Sequence, residues 1–246
     1  MVTGVGRAAG IGAAVVARLT RDGWDVAFTF HSPYDERVYG RADAAGRQAL
    51  TEDALAAGAR VAAVPADLAR AEEVPSLYET VRDQMGQYPT VLILCHCESV
   101  DSGLLDTSVE SFDRHYAVNV RATWLLIKEF ALRFPPEAPG GRIVAMTSDH
   151  TVGNVPYGST KGALDRVVTA AAVELSHLGI TANVINPGPT DTGWMPEALK
   201  DQLRAATPAR RLGLPDDVAN LVGFLCSRQG EWINGQVIMS DGGLTR

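Results

Sequence analysis

The chain has 246 residues, is 46% hydrophobic and carries a net charge of −7 at neutral pH, so it can bury a sizeable core but offers no basic field for nucleic acid. It contains no run of about 18 apolar residues and no basic stretch leading into an apolar one at its start, so neither a membrane span nor an export signal is expected. Cys95, Cys97 and Cys226 are too few for a disulfide framework, which fits a reducing compartment and makes the cytoplasm the expected location.

Short apolar or β-branched runs alternate with segments of helical period, the pattern of βαβ units and a parallel sheet. The first strand, 1–3, is unusually short and leads straight into a glycine-rich turn. In that turn Gly4, Gly10, Ile11 and Gly12 lie between strand and helix, where glycines let backbone amides approach a pyrophosphate. A glycine turn without a ligand would read the same way. A helix over 11–22 is closed by Gly23, and a second strand spans 25–30. The stretch 31–46, with Pro33, Gly40 and mixed charge, reads as irregular.

A third strand at 61–65 precedes a helix at 71–85, and a fourth at 91–95 precedes a long helix at 111–133. The proline-rich stretch 134–141 reads as a turn before a fifth strand at 142–147. A second long helix at 158–177, a strand at 181–185, a helix at 215–227 begun by proline and a strand at 236–240 complete the chain. With no repeat and no linker, residues 1–246 are expected to form one domain. The predicted fold is α/β, a Rossmann-type doubly wound domain with a seven-stranded parallel sheet flanked by helices.

Tyr157 and Lys161 stand at i and i+4 of the predicted helix, hence on one face. An ammonium there favours the phenolate, so Tyr157 would exchange a proton with a carbonyl oxygen near neutral pH. A surface pair has the same spacing.

Taken together these residues resemble the short-chain dehydrogenase/reductase family, especially its 3-oxoacyl-acyl carrier protein reductase branch. The resemblance runs through the glycine turn, Ala66-Asp67-Leu68, Asn119, Ser148, the Tyr157/Lys161 pair, the stretch from Asn186 through Thr192, and Asp241-Gly242-Gly243. It implies a general acid in Tyr157, a modulator in Lys161 that also holds the nicotinamide ribose, and a substrate-oxygen donor in Ser148. Asn119 would hold a water linking Lys161 to solvent. Asp67 and Leu68 would meet the adenine, and Pro187, Gly188, Thr190 and Thr192 would cover the nicotinamide side. Cys95 and His96 would line the cofactor pocket. Segment 191–208 would form a lid with an apolar inner side from Trp194, Met195, Leu199 and Leu203.

The resemblance implies a nicotinamide cofactor, and NADP(H) is favoured over NAD(H). At the end of the second strand Phe30, His31 and Ser32 stand where an acidic residue would reject a 2′-phosphate, and Arg7 is placed to reach it. The expected partner is a small carbonyl or alcohol substrate, with no nucleic acid and no membrane. Relatives pair the two long helices between subunits, which implies a homotetramer or homodimer.

Three departures from the family pattern stand out. Five residues separate Gly4 from Gly10, more than is usual. Leu94-Cys95-His96-Cys97 replaces Asn-Asn-Ala-Gly, and the Ser148–Tyr157 spacing of nine is short. Cys95, His96, Cys97 and Glu98 are potential metal ligands, but neighbours on a strand alternate faces and zinc sites use wider spacings, so no metal is expected. Two other functional readings stay open. One is a catalytically silent dinucleotide-binding sensor or assembly subunit; the other is a reductase of acyl chains on a carrier protein, docked by Arg133, Arg204, Arg210 and Arg211.

Overall fold

The computed structural model describes residues 1–245. Seven parallel strands lie in the order β3-β2-β1-β4-β5-β6-β7. They are β1 (Val2–Thr3), β2 (Val26–Phe30), β3 (Val61–Pro65), β4 (Val91–Leu94), β5 (Gly141–Met146), β6 (Ile180–Asn186) and β7 (Val237–Met239). The predicted doubly wound sheet is therefore observed, each strand within two residues of its expected ends. Strand order reverses between β1 and β4, the crevice where open α/β sheets bind ligands.

Alternation along the strands divides the core. Leu92 and Leu94 of β4 face one side with Ile143 and Ala145, under α4 (Glu73–Met85), α6 (Ala122–Leu132) and α7 (Val155–Glu174). Val91 and Ile93 face the other, with Phe28 and Val144, under α1 (Ile11–Arg21) and α9 (Pro215–Cys226). Both faces are covered, which is why these strands read as continuous apolar runs.

The stretch 31–46 is not irregular throughout: α2 (Ser32–Tyr39) occupies its first half and α3 (Ala44–Ala56) begins at its end. Pro33 lies in the first turn of α2, where its missing N–H costs nothing and its fixed φ favours the helix. Gly40, at φ 74°, takes the left-handed stop, and Asp43 caps α3 by accepting from the Gly46 amide at 3.1 Å.

The long helix expected at 111–133 starts earlier and is interrupted. Ser108 caps α5 (Val109–His115), and a π-helical turn, Tyr116–Arg121, joins it to α6. Such turns displace one residue from helical register and cluster at functional sites. Here the turn carries Asn119. Helix α7 starts at Val155 rather than 158 because Pro156 is accommodated in its first turn. Within the expected lid, α8 spans Glu197–Ala206.

Phe28 is fully buried beneath α1. Phe28→Ala should destabilise the chain by about 3–5 kcal/mol in urea unfolding with little change in m; a loss below about 1 kcal/mol would mean that this core collapses to fill the space.

Candidate active site

A cleft of about 1050 Å³ opens at the C-terminal ends of the strands, larger than a drug-sized pocket and roomy enough for a dinucleotide beside a small substrate. Its floor begins at the glycine turn. Gly4 has φ 75°, and a β-carbon there would stand 2.5 Å from the His96 amide nitrogen. Only glycine lets the turn lie this close to the end of β4. Gly10 precedes α1 without any side-chain cap, so the first amides of that helix are left for an anion. Gly4, Arg7, Gly10, Ile11 and Gly12 all line the cleft, as do His31, Asp67 and Leu68 at the ends of β2 and β3.

The segment after β4 is bulky but ordered by specific bonds. His96 is 6% exposed, with Nδ1 2.7 Å from Thr3 Oγ1, and burial together with the Lys161 ammonium lowers its pKa to about 3. It is a neutral packed ring that also borders the cleft. Burial pushes the neighbouring Cys95 thiol up to about 12. Cys95, His96, Cys97 and Glu98 do not converge on one point: His96 turns to Thr3, while the Glu98 carboxylate takes Arg37 Nη2 at 2.6 and 2.8 Å.

Asn119 sits beneath this segment. Its Oδ1 accepts from the Glu98 amide at 2.7 Å, and its Nδ2 donates to the Glu98 carbonyl and to Thr160 Oγ1, both at 2.9 Å. Both amide hydrogens are thus committed. The Asn119 side chain thereby acts as a clamp on the backbone.

Ser148 follows the end of β5, and Tyr157 and Lys161 project from the first two turns of α7. Ser148 and Tyr157 line the cleft with Pro187, Gly188, Thr190 and Thr192. Lys161 lies below, 2% exposed, its Nζ donating to the Met146 carbonyl at 2.8 Å and standing 5.4 Å from the Tyr157 ring centre. Burial raises the Tyr157 phenol above its ordinary value, Cys97 adds to this, and the Ser148 hydroxyl pulls it back. Burial also lowers the pKa of the Lys161 ammonium.

Helix α2 packs across the mouth and contributes Tyr34, Arg37 and Tyr39, which the sequence does not single out, together with Asp35, a carboxylate that follows closely after the end of β2. Tyr39 receives the Arg7 guanidinium 4.0 Å above its ring, and Arg7 Nη1 reaches the Thr192 carbonyl at 2.9 Å. The expected phosphate ligand therefore bridges the glycine turn and the nicotinamide side. Arg47 of α3 braces the turn by donating to the Gly6 carbonyl at 2.8 Å. Pro33 and Gly40 are the available signal for α2, marking helix start and stop in a stretch that otherwise reads as irregular.

The family profile described as enoyl-(acyl carrier protein) reductase matches residues 4–245. A short chain dehydrogenase from Burkholderia cenocepacia, solved in complex with NADP, superposes with a TM-score of 0.86 at 32% identity, covering 99% of this chain and 96% of that one. The chain belongs to the short-chain dehydrogenase/reductase family. Among other members, the uncharacterized oxidoreductase YjdA of Bacillus subtilis is 36% identical over 251 residues, 100% of this chain and 96% of that protein. An NADPH-dependent aldehyde reductase-like chloroplastic protein of Arabidopsis thaliana is 34% identical over 257 residues, 99% of this chain and 92% of that one. Among the described residues of this short-chain dehydrogenase/reductase, no helix is long and apolar enough to cross a membrane.

The glycine cradle, the uncapped start of α1 and Arg7 fit a dinucleotide. Asp35 opposes it: 4% exposed, it lies against Gly6, where a β-carbon would meet its Oδ2 at 2.3 Å. That oxygen has no hydrogen-bond partner among the described residues. Burial raises the Asp35 pKa despite Arg7, Arg47 and His31 nearby. A carboxylate whose pKa is raised by folding costs stability once ionised, and the cost vanishes where both folded and unfolded forms are protonated. Asp35→Asn should therefore raise the melting temperature at pH 7, with the gain shrinking as pH falls toward about 4. A gain that is independent of pH in circular dichroism melts would show that ionisation of Asp35 is not what it relieves.

Proposed function

We propose that this short-chain dehydrogenase/reductase is an NADP(H)-dependent carbonyl reductase and alcohol dehydrogenase acting on small ketones, aldehydes or their alcohols. The observation that carries the reading is the meeting of Ser148 and Tyr157, with Lys161 beneath, in the same cleft as the glycine turn. The nicotinamide, when bound, supplies or accepts the hydride. The protein supplies orientation and the proton.

In reduction, the Ser148 hydroxyl donates to the substrate oxygen and holds it beside the phenol. Tyr157 then releases its proton to that oxygen as negative charge develops there. The phenol is protonated at neutral pH, as the acid of the reduction must be, and in the reverse direction the phenolate takes the proton from the alcohol. The Lys161 charge beneath stabilises the phenolate left behind. Asn119 contributes by holding the Glu98 backbone rather than by touching substrate.

NADP(H) is favoured because no carboxylate occupies Phe30, His31 or Ser32, and because Arg7 faces the cleft. The NADPH-dependent and NADP-bound relatives point the same way. Exposed Phe112, Tyr116 and Trp124 on the α5–α6 face support assembly into a homo-oligomer. A carrier-protein partner has less support. Arg133 is paired with Glu79 and Glu129, Arg204 with Glu197 and Asp201, and Arg211 with Asp217, so little free positive charge is left to dock an acidic protein.

Titration with NADPH and NADH, followed by nicotinamide fluorescence, should give tighter NADPH binding that weakens in Arg7→Ala. Tyr157→Phe should lower kcat/KM on reducible ketones by about 10²–10⁴. Tighter NADH binding overturns the cofactor assignment. Binding with no Tyr157-dependent turnover on any carbonyl favours the silent dinucleotide-binding reading.

A further inference from the structure

In a doubly wound fold the end of the second strand is where the adenosine ribose of a dinucleotide is met. Helix α2 starts there, one residue after Phe30, and runs back over the glycine turn. Its Asp35 carboxylate lies against Gly6, and its Tyr39 ring lies 4.0 Å from the Arg7 guanidinium. The helix therefore crosses the route that the adenosine half of a dinucleotide would take.

Little apolar surface holds α2 in place. Of its eight residues only Asp35 is buried, and the contacts that keep it down are polar: Arg37 Nη2 on the Glu98 carboxylate at 2.6 and 2.8 Å, and the Tyr34 hydroxyl on the Ser99 carbonyl at 3.4 Å. An element with few buried apolar contacts opens locally at far less cost than global unfolding. The one residue that α2 buries works against closure. Asp35 Oδ2 has no hydrogen-bond partner among the described residues, and Arg7, Arg47, His31 and Asp43 face the carboxylate without closing an ion pair on it. Both ends of the segment are pinned. Phe30 belongs to β2, and Asp43 accepts from the Ala8 amide at 2.9 Å while it caps α3. Gly40, at φ 74°, lies between the helix and that second anchor, so α2 can lift while both anchors stay.

We propose, on the reading of this cleft as a dinucleotide site, that α2 is an autoinhibitory strap: closed, it lays Asp35 on the glycine turn and shuts the adenosine end, and a dinucleotide binds the chain with α2 lifted. Apparent affinity is then the intrinsic affinity reduced by the fraction of chains that are open. Arg37 holds the strap shut and Asp35 pushes it open, so removing one acts in the opposite sense to removing the other. A helix fixed over bound nucleotide has the reverse signs. Loss of Arg37 would loosen such a pocket, and loss of the Asp35 charge would relieve repulsion of a phosphate.

The test uses the full chain and two variants: Arg37→Gln, which leaves Glu98 its second arginine, Arg114, and Asp35→Asn, which keeps the side chain's shape. Amide hydrogen exchange over 32–40 is followed in nucleotide-free protein, and NADPH binding by nicotinamide fluorescence. In Arg37→Gln the exchange should quicken by about three- to tenfold and Kd for NADPH should fall by a similar factor. In Asp35→Asn the exchange should slow and Kd should rise, each by about as much. Exchange that neither variant moves overturns the proposal, as does a Kd that rises in Arg37→Gln and falls in Asp35→Asn. If no chain binds NADPH or NADH, the dinucleotide reading is what fails. Exchange alone then decides the strap: opposite shifts in the two variants uphold it, and parallel or absent shifts overturn it.

Discussion

One side chain, Asn119, holds both backbone groups of one residue, Glu98, and the rest of the cleft is assembled on that clamp. With Glu98 fixed, its carboxylate meets Arg37 of α2 and Arg114 of α5, and the adjoining Ser99 offers its carbonyl to Tyr34 and its hydroxyl to Asn154. On the other side, His96 fills the space beside Thr3 and sets the distance at which Gly4 passes. Removing the Asn119 amide would leave two buried backbone groups unpaired, at about 1–3 kcal/mol each. The π-helical turn is what brings Asn119 under the segment, since it breaks the register that would otherwise bury a different residue there.

The buried charges in the cleft divide by whether they are paired. Glu98 is 3% exposed, yet its arginine partners keep 43% and 41% of their side chains in solvent. Only one member of each pair gives up its hydration, so the Coulomb gain is opposed by one desolvation cost instead of two. This pairing latches α2 across the mouth. Asp35 on the same helix has no such pairing, so the helix that Glu98 holds in place presses an unpartnered carboxylate onto the glycine turn. The latch and the opposition to an anion are two effects of one helix position.

Much of this was legible in the sequence for a physical reason. A sheet buried on both faces leaves apolar runs, and a backbone that must approach a ligand leaves glycines, so the strands and the turn from Gly4 to Gly12 could be read directly. The Tyr157/Lys161 spacing could be read because a helix puts i and i+4 on one face. Helix α2 was hidden because only Asp35 of its eight residues is buried, leaving no apolar stripe, and because Pro33 and Gly40 mark helix ends as well as turns. The π-helical turn has no sequence signature at all.

Two unpartnered oxygens thus mark the two ends of the cleft, and their chemistry has opposite consequences. Asp35 Oδ2, beside the glycine turn, is an acceptor with charge, and any phosphate brought near it adds repulsion that Arg7 and Arg47 must offset. Asn154 Oδ1, at the start of α7, is an acceptor without charge that is closed to solvent, so its cost stays within the folded chain and falls on no ligand. The segment after β4 thus positions both α2, through Glu98, and Asn154, through Ser99 and Asp101.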